Sequence, residues 1–174
     1  MLAVLDSVFG LPAHPLFVHA VVVLVPLAAI GTIVIAFWPR ARQSVGWIVA
    51  AVGIIGFFFA FFAKESGEAL LETSKVSQLV KDHAEMGDWG LIGAFLVGGS
   101  ATSIMSFDTF VRWRAAKGEP ELSITRPLRN LIGVFAVVLT VFGTVLVVDV
   151  GHSGAKATWD QNDTTAPTVP YERD

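Results

Sequence analysis

The chain has 174 residues, 53% of them hydrophobic and 16% charged, with a net charge of −3. Soluble domains carry about a quarter charged residues, so a mean hydropathy of +0.64 excludes an ordinary soluble domain, and no basic cluster offers a nucleic-acid footprint. The absence of cysteine excludes disulfides, thiolate metal sites, iron–sulfur clusters and covalent c-type haem attachment.

Residues 1–14 lack the basic n-region of a cleavable signal, so the first span is expected to act as its own insertion signal. From Pro15 to Trp38 the only ionisable side chain is His19. That run exceeds the ~20 apolar residues a spanning helix needs. Pro26 is expected to bend it and Pro39 to stop it. Gln43 to Ala63 carries no charge and forms the second span. Glu65, Glu68 and Glu72 then share one helical face, at i, i+3 and i+7. Residues 64–73 therefore read as an extension of the second helix beyond the membrane. Residues 74–87 read as a short interfacial helix and turn.

The third span covers residues 89–110 and is uncharged from Trp89 to Phe107. Gly90, Ala94 and Gly98 make a small-residue row that lets helices approach closely. Packing within the chain is the expectation, with a homodimer seam as the alternative. Asp108, at the end of this span, faces Arg112 at i+4. Gly118 and Pro120 mark the next loop, and Pro127 starts the fourth helix. That span covers residues 128–149, uncharged from Asn130 to Val148. Residues 156–174 form a polar C-terminal tail, expected to be disordered or extended from Thr164. Barrel strands would be shorter and would alternate in polarity. The backbone must satisfy its own hydrogen bonds in lipid. The fold class is therefore all-α integral membrane, four transmembrane helices in an antiparallel bundle.

Orientation follows from the loops. Arg40 and Arg42 fall in the first, and Arg112, Arg114, Lys117, Arg126 and Arg129 in or beside the third. The positive-inside rule makes that side cytoplasmic and puts both termini outside. The expected location is the cytoplasmic membrane of a bacterium, with the termini periplasmic. Trp38, Trp47, Trp89 and Trp113 sit near span ends, where amphipathic rings suit the interface.

Under this topology all four histidines, His14, His19, His83 and His152, lie at outer helix ends. Imidazole is the commonest nitrogen ligand for zinc, copper and haem iron. Asp82, Glu85, Asp149 and the Glu65 face stand near enough in sequence to orient such ligands. His14 precedes Pro15 and is expected to be extended, near the helix N-cap. His19 would lie about 140° further round a helix. As an ionisable residue inside an apolar span, it is the most pointed of the four. Taken singly, each histidine also suits an interfacial role. Gly151-His152-Ser153-Gly154 reads as a glycine-bounded turn with a left-handed C-cap. Ser153 is no nucleophile by adjacency to His152, and there is no G-x-S-x-G elbow.

His14-Pro15-Leu16-Phe17-Val18-His19 and Gly151-His152-Ser153-Gly154 together resemble a bacterial family of small four-helix membrane proteins of unknown function. That family carries HPxxVH at the first helix and GHxGG after the last. The resemblance covers about residues 12–155, and His83 matches a histidine usual before the third span. Ala20-Val21 replace the family's Phe-Pro, and Ala155 replaces its last glycine. A haem- or metal-linked role is what the resemblance implies.

The leading functional expectation is therefore a membrane electron-transfer protein. It would bind haem b or a transition metal, copper or zinc, through His14, His19, His83 and His152. For haem, His19 with His83 or His152 would supply axial ligands. Gly87, Gly90 and Gly93 would open a slot of about 10 Å between helices. The alternative is a non-enzymatic accessory subunit of a larger membrane complex, such as a respiratory one. Its partners would be the lipid bilayer and that complex, or a second copy. A transporter is disfavoured by the few spans and the lack of mid-membrane charge. No nucleophile–base pair or phosphate loop supports a stand-alone enzyme.

Overall fold

The computed structural model describes residues 7–8, 11–73, 77–120 and 123–159. Ser7–Val8 and Leu11–Pro12 pair as a two-residue antiparallel ladder. Among the described residues five helices follow: α1 (Ala13–Phe37), α2 (Pro39–Thr73), α3 (Gln78–Glu85), α4 (Gly87–Ala116) and α5 (Thr125–Trp159). α1, α2, α4 and α5 are long and apolar enough to cross a membrane. α3 has eight residues, or ~12 Å of helix, and is too short and too polar to cross. Ser77 caps it, its hydroxyl accepting from the Val80 N–H. The extension of α2 to Thr73 and this short helix match the sequence-based expectation. The tail from Thr164 lies outside the described residues.

Two boundaries correct the sequence reading. Only Trp38 separates α1 from α2, because Pro39, lacking an N–H, is suited to open a helix as well as to stop one. Arg40 and Arg42 are therefore helical rather than loop residues. α5 also runs on to Trp159, so residues 151–154 are helix and not a glycine-capped turn. The only positive-φ glycine among the described residues is Gly118, at 74°, in the loop after α4.

α1 packs chiefly on α2, α4 on α5, and α2 joins the pairs through α4. The interior is built from small residues. One cluster gathers Val21, Val25, Ala28, Ala60, Ala63, Ala94, Val97 and Val147; the second gathers Ile35, Ala50, Ala101, Ile104, Met105 and Ala136. Large side chains such as Ile30, Ile48, Phe58, Phe95, Leu131 and Phe135 face outward on all four long helices. In lipid that belt is solvated, so burial supplies little association energy and close packing must. Glycine provides it. A Cβ on Gly53 would meet Gly98 Cα at 2.8 Å, and one on Gly93 or Gly143 would meet the other's carbonyl at 2.5 Å. The Gly90, Ala94 and Gly98 row thus packs within the chain, against Val150, the buried core and Gly53.

At the arginine end a buried side chain caps a helix. Arg42 donates from Nε to the Ile35 carbonyl at 2.7 Å and from Nη2 to that of Ala36 at 2.6 Å. These are orphan acceptors of the last turn of α1. Asp108 lies 3.7 Å from Arg42 and 2.6 Å from Arg112, so it serves two arginines rather than the one its i+4 spacing announced.

Replacing Gly143 by Val should cost about 1–3 kcal/mol through overpacking and lower the melting temperature in detergent. Gly99→Ala, where nothing lies within 4 Å of the added carbon, should leave it nearly unchanged. Equal effects at the two sites would contradict the contact.

Candidate functional site

The starts of α1 and α4, the far ends of α2 and α5, and the short α3 surround a cavity of about 590 Å³ at the end opposite the arginines. Its walls are mostly apolar, among them Val18, Val22, Leu71, Leu91 and Val147. Among the described residues Lys64 and Glu68 are its ionised lining groups; they pair at 2.6 Å, and Lys64 also reaches Asp88 at 3.4 Å. Three of the four histidines, His14, His19 and His83, line it.

His14 is the second residue of α1, not an extended residue ahead of it. Pro15 is tolerated in a first turn, where its missing N–H would have no partner anyway. The cavity wraps around that first turn, so His14 and His19 both border it despite their separation round the helix. His19 is exposed at the rim. His83 comes from α3 and is half-buried. The rings of His14 and His83 lie 6.3 Å apart, centroid to centroid, at 71° to one another.

Each of the three rings uses Nδ1 for a structural hydrogen bond. Nδ1 of His14 reaches the Ala63 carbonyl at 2.7 Å, and Nδ1 of His19 the Pro15 carbonyl at 2.5 Å. A carbonyl only accepts, so both nitrogens carry the proton. Nδ1 of His83 lies 2.8 Å from Ser153 Oγ, whose hydroxyl donates to the Val150 carbonyl at 2.8 Å. Both bonds form together only if His83 Nδ1 donates. In their neutral forms the three imidazoles are therefore the same tautomer, with Nε2 as a lone pair. This arrangement fixes the orientation of ligating histidines.

The orienting groups correct the sequence reading. Two carbonyls and a serine hold the rings, and none of Asp82, Glu85, Asp149 and Glu65 has a bond to a histidine among the described residues. Asp82 instead accepts from Gln78 at 2.8 Å. Backing is supplied by glycine. A Cβ on Gly67 would come within 3.0 Å of the His14 ring, and one on Gly154 within 2.9 Å of the His83 ring. Ser153, Gly154 and Gly67 were not selected as site residues from the sequence. The helical spacing of Val147, Val150, Gly151 and Gly154 was the signal for the last turns of α5, since all four line one cavity. His152 is exposed and does not line it. One residue past Gly151, it is turned about 100° away. Gly87 and Gly90 border the cavity as expected, whereas Gly93 is taken up by the Gly143 contact.

Burial, then the neighbouring His14, pushes the His83 imidazole below its ordinary pKa. Acidification below about pH 6.5 accordingly favours the unfolded chain, which takes up this proton first.

Residues 10–167 match the model of a family described as predicted membrane protein (DUF2231), and the chain belongs to that family. No curated protein and no solved structure matches it.

Nitrogen-15 NMR of ligand-free protein should show the neutral rings of His14, His19 and His83 as the tautomer protonated at Nδ1. Ser153→Ala should disturb His83 alone. His83 should titrate with a midpoint below the ordinary ~6.5; a midpoint at or above it would contradict the buried setting.

Proposed function

For this member of a family of predicted membrane proteins, we propose one-electron transfer by a b-type haem held between His14 and His83 in the cavity at the histidine end. The carrying observation is the 6.3 Å separation of two imidazoles whose Nδ1 protons are already engaged. A metal bound end-on by two imidazoles holds their centroids about 6 Å apart, because each metal–nitrogen bond is about 2 Å and each centroid lies about 1 Å behind its nitrogen. Bis-imidazole ligation of haem needs no cysteine. A volume of 590 Å³ with apolar walls lies within the ordinary range of cofactor clefts.

The same geometry weighs against a bare zinc or copper site. Such a site takes three or four protein ligands. No group of three or more ligating side chains gathers among the described residues. Haem, which supplies four ligands itself, requires only two. His19 then borders the pocket rather than ligating, and His152 stands outside it. The positive-inside rule sets the histidine end on the periplasmic side, which would expose the haem edge to an external redox partner.

Protein purified in detergent from haem-replete cells should show a Soret band and about one haem per chain. His14→Ala and His83→Ala should each abolish it, while His152→Ala should retain it. A colourless wild-type protein that also fails to take up added hemin would contradict the reading and favour an accessory subunit. Orientation has its own check, made simple by the lack of native cysteine. In whole cells, a membrane-impermeant thiol reagent should label Asp82→Cys and spare Lys117→Cys; the reverse would invert the topology.

A further inference from the structure

A second cavity, of about 380 Å³, lies at the arginine end between the last turns of α4 and the first turns of α5. Among the described residues Arg114, Arg126 and Arg129 line it against one glutamate, Glu119, whose carboxylate Arg114 holds at 2.9 Å. The nearby Asp108 is likewise engaged, by Arg112 and Arg42. Arg129 contributes the decisive detail. Its Nε is buried and has no hydrogen-bond partner among the described residues. A buried guanidinium N–H without an acceptor is costly, so the site lacks an anionic oxygen.

The remaining walls say which anion. Phe110 and Ile124 border the cavity and are 49% and 59% exposed, so it opens onto the apolar flank of the bundle. Phe110 stacks on Trp113 at 6.3 Å, and Lys117 sits 3.8 Å over the Trp113 ring. Aromatic and basic side chains grouped in this way mark the headgroup level of a bilayer. Basic pockets between transmembrane helices at that level suit anionic headgroups. A free phosphate ion would use the arginines but not the apolar flank. We propose that this cavity binds an anionic phospholipid, its phosphodiester accepting from Arg129 and its acyl chains lying along Phe110 and Ile124. Guanidinium geometry matches two phosphate oxygens. This site is independent of the haem reading and can stand or fall without it.

The test is native mass spectrometry of protein reconstituted in vesicles holding equal phosphatidylglycerol and phosphatidylcholine, then released in mild detergent. The wild type should retain phosphatidylglycerol in preference. Arg129→Gln should lower that adduct by about tenfold or more, as expected for loss of a charge-assisted bond. Arg40→Gln, exposed elsewhere at the same end, should not change it. Glu119→Gln, on an exposed loop residue, should raise it by releasing Arg114, and gives a readout even if Arg129→Gln misfolds. Equal retention of the two lipids, or no response to either site variant, would overturn the proposal. Displacement of the lipid by inorganic phosphate at matched concentration would reassign the site to a free anion and overturn it too.

Discussion

The contact between backbones at two glycine pairs sets the spacing of the whole bundle. Gly53 against Gly98 joins α2 to α4, and Gly93 against Gly143 joins α4 to α5. Lipid offers no hydrophobic drive for helices to associate, so van der Waals contact at short range has to supply it. Gly53, Gly98 and Gly143 lie well inside their helices, and Gly93 lies nearly two turns in from the start of α4. Toward the histidine end the contacts loosen. A Cβ on Gly90 would meet only the Val150 side chain, at 3.4 Å, and one on Gly87 only the Lys64 chain, at 3.7 Å. The cavity opens where the glycines no longer touch backbone. A bundle clamped at its centre can thus keep a hollow end without losing its register.

The two ends divide the labour. At the arginine end, Arg42 closes α1 and shares Asp108 with Arg112, so the last turn of α1 and that carboxylate are satisfied inside the chain, while Arg129 Nε is left without an acceptor among the described residues. At the histidine end the bonded groups are the Nδ1 nitrogens, on three rings that line a largely apolar cavity. Each ring is held by a different segment: Ala63 on α2, Pro15 on α1 and Ser153 on α5. Rotating the ring of His14 or His83 would sacrifice a hydrogen bond in part-buried surroundings, where water replaces it poorly. That is the pre-organisation a ligand site requires. It is also why α3, short and polar, matters more than its size suggests: it carries His83 back over the bundle end.

The spans were legible because four uncharged runs of sufficient length leave no other solution in lipid. The extension of α2 and the presence of α3 were legible from the spacing of Glu65, Glu68 and Glu72 and the polar stretch behind them. The end of α5 was not. Gly151 and Gly154 resemble capping residues when read locally, yet they are helical because Gly154 must pass the His83 ring. Arg42 was misplaced for a related reason: sequence distance from Pro39 suggested a loop, while its two carbonyl partners lie across the turn in α1. Topology alone put four histidines at one end of the bundle, and His152 does not line the cavity there. Which of them face one another was not legible, since that depends on helix rotation. Neither were their orienting partners, because backbone carbonyls carry no sequence signal.

The proposed haem requires His14 and His83 to share one iron. Anomalous diffraction at the iron edge, from crystals of the pigmented protein, would locate it. We predict a single peak between the two rings, within bonding distance of both Nε2 atoms. A peak elsewhere, or two rings facing each other across a gap holding no iron in protein shown to carry haem, would contradict it.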